Sequence, residues 1–130
     1  MENGKTSLSA GLAVYAMLTE DEKVAAMATK VFPVVTDKAE LPYIAYRRAA
    51  FDQNPVKAGM PGADTVRMEV ACYAANYAQG VEMAEAARKA LEGGARTVGG
   101  LRIRSCMLTD AAEEWQDDAY VQRLVFDLRL

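Results

Sequence analysis

Five carboxylates crowd one stretch near the C-terminal end of the chain: Asp110, Glu113, Glu114, Asp117 and Asp118. Carboxylates this close together suggest a divalent-cation site or an acid–base pair. A calcium loop, however, sets its oxygens at fixed offsets around a central glycine. Neither that spacing nor a glycine occurs here, so the residues favour the solvated end of a hairpin. Cys72 and Cys106 are potential nucleophiles, but the chain has 0 histidines to act as a partner base. Both fall on expected strands, where a buried reduced thiol is the simpler reading. Gly93-Gly94 and Gly99-Gly100 suggest a phosphate cradle. Such a cradle precedes a helix, facing its positive end, whereas these glycines follow one. A helix stop and the start of a strand account for them.

Arg47, Arg48, Arg102 and Arg104, with Tyr43, Tyr46 and Phe51 close to the first pair, suggest stacking on RNA. The formal net charge of -3 and the lack of a Lys/Arg stripe argue against that partner. Exposed strand positions, or ion pairs across a subunit contact, fit the arginines better. Trp115 lies in a polar stretch, where it either anchors an interface or folds back over a sheet. These residues define no catalytic, cofactor or metal site. Arg47, Arg48, Asn54, Met60 and Trp115 are left as candidate contacts with a subunit or partner.

The elements that carry these residues follow from periodicity. A chain of 130 residues with 52% apolar and 25% charged content fits one globular domain over 1–130, with 1–5 expected to be flexible. No apolar run approaches the roughly 20 residues of a membrane helix, so no membrane role is expected. The first residues lack the apolar stretch of a signal peptide. With two isolated cysteines, the expected setting is reducing and cytoplasm-like.

A helix is expected over 6–19, capped by Thr6 or Ser7, with Leu8, Leu12, Tyr15 and Leu18 as its packing stripe and Val14 and Met17 widening it. Glu20 to Lys23 reads as a solvated break. Residues 24–32 read as a helical turn running into extended chain that holds Pro33. Pro42 marks the start of a strand over 43–51. The turn formers between Asp52 and Ala63 make a loop long enough to carry contacts. Val66, Met68, Val70, Cys72 and Ala74 alternate with more polar residues, which predicts a strand covered on one face. Asn76 caps a second helix over 77–92 whose stripe is Val81, Ala84, Ala87, Arg88 and Leu91, with Gly93-Gly94 as its C-terminal stop. Strands over 101–109 and 119–130 flank an acidic loop, Asp110 to Asp118. The order α-β-β-α-β-β predicts an α+β two-layer sandwich: a mainly antiparallel four-stranded sheet with two helices on one face.

The chain resembles the tail-terminator, or tail-completion, proteins of long-tailed bacteriophages and prophages. The resemblance rests on the leading helix with Val31-Phe32-Pro33, on Leu41-Pro42-Tyr43-Ile44, and on the alternating strand from Arg67 to Tyr73. It continues through the helix ending Ala86 to Gly93 and the closing run Tyr120 to Leu128. It implies a structural protein rather than an enzyme, with no catalytic residues or cofactors to carry over. It also implies a ring, commonly of six copies, that caps the head-proximal end of the tail tube. Its partners would be the major tail tube protein and a head-completion or connector protein. DNA would pass through the ring without specific binding, and the protein would sit in the virion tail after assembly in the host bacterial cytoplasm. A different neck or tail adaptor, or a small ligand-binding α+β domain, are the alternatives.

Overall fold

A computed structural model describes residues 6–34, 40–52 and 64–130. The chain opens with a 3-10 turn, Ser7–Ser9, capped by the Thr6 hydroxyl, which accepts from the Leu8 N–H at 3.3 Å. Helix α1 follows (Ala10–Thr19) and then a short α2 (Glu22–Met27). The expected break at Glu20 to Lys23 is therefore narrower than the sequence suggested. The Asp21 carboxylate accepts from the N–H groups of Lys23 and Val24, both at 3.0 Å, and starts α2 inside it. Strand β1 (Val31–Pro33) leads to β2 (Tyr43–Asp52) and β3 (Thr65–Ala74). Then come α3 (Tyr77–Leu91), β4 (Arg96–Val98), β5 (Leu101–Ile103), β6 (Ser105–Gln116) and β7 (Ala119–Arg129).

The fold is α+β, but the sheet differs from the four antiparallel strands expected. Among the described residues it has five strands in the order β1-β2-β3-β7-β6, with β1 parallel to β2 and the other neighbours antiparallel. Pro33 is tolerated because β1 is an edge strand, where a missing N–H interrupts no central ladder. A separate two-stranded β4–β5 ribbon follows α3. The strand expected over 101–109 is thus split at Arg104 into β5 and the start of β6. Among the described residues three α-helices, not two, accompany the sheet, the additional one being α2.

The alternation read from β3 holds: Val66, Met68, Val70, Cys72 and Ala74 are each 0% exposed. Across from them on β7, Leu124, Phe126 and Leu128 are buried on the same side. This face and the helices share one core. The expected stripe on the first helical segment holds at Val14, Met17 and Leu18 and fails at Leu8, Leu12 and Tyr15. Ala10, Ala13, Val14, Met17 and Leu18 are buried, while Leu8, Leu12 and Tyr15 are exposed. In α3 the stripe also shifts, because Gly80, Met83, Ala84, Ala86, Ala87 and Leu91 are buried and Arg88 is exposed.

Asn76 caps α3 as expected, its side chain accepting from the Gln79 N–H at 2.8 Å. The glycine stop does not operate: only Gly99 and Gly100 have positive φ among the described glycines. Instead Glu92 turns extended and the Arg96 guanidinium donates to the carbonyls of Ala90 and Leu91. A cation at the electronegative end of the helix serves the purpose that a left-handed glycine serves elsewhere.

Candidate assembly surface

The acidic stretch is a strand rather than a loop. Strand β6 runs through Gln116, and only Asp117 and Asp118 form the turn, with φ of 55° and 59°. Two central residues at positive φ make the two-residue turn whose twist suits a β-hairpin. Such a turn is closed by a hydrogen-bonded pair, here Gln116 and Ala119. Alternation along the ladder then directs the backbone N–H and C=O groups of Trp115, Glu113 and Ala111 away from β7. They face outward because β6 is an edge of the sheet.

Nearer its start this edge is covered. Cys106 exchanges both backbone bonds with Gly93 at 2.9 Å, and the Glu92 carboxylate accepts from the Leu108 N–H at 3.0 Å. That backbone bond leads the causes that hold the Glu92 carboxyl below its ordinary value, with Arg88 adding to it. Beyond the irregularity between Leu108 and Asp110, every residue from Thr109 to Asp118 is exposed. The carboxylate of Asp110 accepts from the Ala111 N–H at 2.9 Å. An open edge lined with charge resists indiscriminate pairing yet remains available to a matched partner.

Trp115 leans partly back onto the sheet. It packs at 73° against Tyr120, its cross-strand neighbour, with ring centroids 5.0 Å apart. It nevertheless stays 60% exposed. Tyr120 also meets Tyr77, at the start of α3, edge-on at 6.1 Å. Below the three rings, one oxygen of Glu113 accepts from the Tyr77 hydroxyl at 2.5 Å and from the Gln122 amide at 2.9 Å. These bonds, Tyr77 first, hold the Glu113 carboxyl below its ordinary value, and the same bond raises the Tyr77 hydroxyl. They also explain the polar Gln122 within the apolar face of β7. Periodicity in the sequence gives no sign of this cluster. Reading Asp117-Asp118 as a hairpin turn would have paired Trp115 with Tyr120.

The other candidates do not converge on the cluster. Arg47 lies on the helix-free face, where it pairs with Glu69 at 3.2 Å. Glu69 also pairs with Arg123 at 3.5 Å, and Arg123 continues to Glu114 at 3.0 Å. Arg48, the next residue in the strand, faces the opposite side and donates to the Leu8 carbonyl at 3.3 Å. Asn54 and Met60 lie outside the described residues, as do all of residues 53–63.

Burial pushes the thiols of Cys72 and Cys106 up to about 12, so each is protonated at neutral pH. Among the described residues, no three His, Cys, Asp or Glu side chains group as a metal site. No described helix is long and apolar enough to cross a membrane. An open depression lies between α3 and β6, lined by Glu85, Arg88, Lys89, Glu92, Gly93 and Met107.

Fold and surface together define a class: a small two-layer α+β domain with an open sheet edge and an exposed aromatic cluster. The profile of the family described as "Tail completion protein gp17" matches residues 12–130. The chain belongs to that family of structural proteins of phage tail assembly. A chain in a solved structure described as "Virion of native gene transfer agent (GTA) particle" is also similar, with a TM-score of 0.75 and 20% identity, covering 96% of this chain and 98% of that one. At that identity the likeness speaks to the fold. No curated protein matches the chain.

Proposed function

We propose that this protein completes phage tails by capping the head-proximal end of the tail tube as a ring of its own copies and joining the tail to a head-completion or connector protein. The observation that carries this reading is the family match over residues 12–130. The similar chain from a gene transfer agent virion adds support, since it comes from an assembled particle. In this reading the protein works through shape and contact rather than catalysis, and it resides in the virion tail after assembly in the host bacterial cytoplasm.

A ring needs a heterologous contact whose rotation closes on itself. The open edge of β6 and the exposed Trp115 supply surface for such a contact. Arg47 and Arg48, exposed on opposite faces of one strand, are proposed as further contacts with a neighbouring copy or the tube. A net charge of -3 favours passage of DNA without tight binding, because few cations are free to displace its counterions.

The test is to assemble the tail tube protein of the same phage with and without this protein and image the products by negative stain. Capped tubes of limited length are expected when it is present, and open tubes of unlimited growth when it is absent. Tubes that are neither bound nor shortened by it would refute the proposal.

A further inference from the structure

The β6–β7 ribbon carries opposite charge at its two ends. At the turn end, Glu113, Glu114, Asp117 and Asp118 are all exposed, against one nearby cation, Arg123. Asp117 and Asp118 have no ion-pair partner among the described residues. The other end holds Arg102, Arg104 and Arg129. Arg104 precedes β6 and donates its N–H to the Arg129 carbonyl, and Arg129 pairs with Ser105, the first residue of β6. Arg102 is two residues upstream on β5. All three arginines are exposed, and none has an ion-pair partner among the described residues.

The twelve residues of β6 separate the two ends, a span of roughly 35 Å at the rise of a strand. That is several screening lengths at physiological salt, where the Debye length is about 8 Å. The two groups therefore cannot neutralise each other within one molecule, but they can between two.

We propose that the acidic hairpin end of one copy, with Trp115 and Tyr120 beside it, seats on the arginine end of the next copy. The occupant is a second copy because the complementary charge is on this same chain, at a place its own hairpin cannot reach. Such a contact is head-to-tail, the kind that closes into a ring. The aromatic pair supplies apolar area at its centre, while the charges set its direction and exclude hairpin-to-hairpin pairing. The inference rests on the ring reading above and adds the surfaces that meet.

Two charge reversals test it: Asp117→Lys with Asp118→Lys at the hairpin, and Arg102→Glu, Arg104→Glu and Arg129→Glu at the opposite end. Self-association is read by sedimentation velocity, tube capping by negative stain, and folding by urea denaturation. A milder hairpin variant, Asp117→Asn with Asp118→Asn, keeps residues that tolerate the turn's positive φ.

Each reversal should weaken self-association and capping by at least about tenfold, because like charges then face each other. An equimolar mixture of the two reversed proteins should recover both, since each variant's hairpin now matches the other's arginine end. Variants that fold and assemble like the wild type, or a mixture that fails to recover, overturn the contact. Capping that survives both reversals overturns the contact alone. A wild type that neither self-associates nor caps tubes overturns the ring reading as well.

Discussion

Glu113 holds the start of α3 to the hairpin through a single carboxylate oxygen, which accepts from Tyr77 and Gln122. The hydroxyl bond lowers the Glu113 carboxyl and raises the Tyr77 phenol, so the pair is sensitive to pH at both ends. The depressed carboxyl contributes stability above its ordinary value of 4.5, and that stability is lost as pH falls through the lower folded-state value. The raised phenol contributes below its ordinary 10.0, and its contribution is lost as pH rises through the higher folded-state value. Tyr77→Phe should therefore lower the urea midpoint at neutral pH, with the gap from wild type narrowing at pH well below 4.5. A gap that stays constant across that range would show that the bond contributes nothing and that the loss is one of packing.

At the scale of elements, α3 offers a measurable defect. Gly80 lies inside the helix, and a methyl group there would meet Ala74 Cβ at 3.6 Å and Gln122 Cγ at 3.7 Å, ordinary contact distances. Gly80→Ala should stabilise the protein by about 0.5–1 kcal/mol, the usual helix preference of alanine over glycine. Gly99→Ala should act in the opposite direction by roughly 1 kcal/mol, because Gly99 has φ +57° in the β4–β5 turn. Denaturation midpoints that shift the same way for both would refute this account.

The same elements show what the sequence could reveal. Strand β3 was legible because one of its faces is fully buried and the other only in part, which writes alternation into the chain. Helix α1 was misread in part because Ala10, Leu12, Ala13 and Val14 make it apolar almost all round. Large residues occur on both sides: Val14, Met17 and Leu18 face the core together with Ala10 and Ala13, while Leu12 and Tyr15 face outward. Strand β6 was hidden for the opposite reason. From Thr109 onward it is exposed on both faces, so no alternation marks it, and its acids resemble a loop. Of the candidate contacts, Trp115 stood out by its type, but its aromatic neighbours depended on a register that only the turn geometry sets.

At the scale of the whole molecule, two surfaces are candidates for the self-association proposed above, and they respond oppositely to salt. One is the charged ribbon, acidic at the Asp117-Asp118 turn and basic around Arg104. The other is the apolar side of the first helical segment, where Leu8 is 68% and Leu12 63% exposed. Raising sodium chloride from about 0.1 M to 1 M shortens the Debye length from about 10 Å to 3 Å. Charge pairs across an exposed contact are then screened, while burial of apolar surface is not weakened in the same way. The native fold should change little, because its described ion pairs are surface pairs of the kind worth at most about 1 kcal/mol each. Association through the ribbon ends should therefore fall steeply over this salt range while the urea midpoint barely moves, a combination measurable by sedimentation and denaturation on the same samples. Association that holds or strengthens with salt would instead assign the contact to Leu8 and Leu12, and Leu12→Glu would then abolish it.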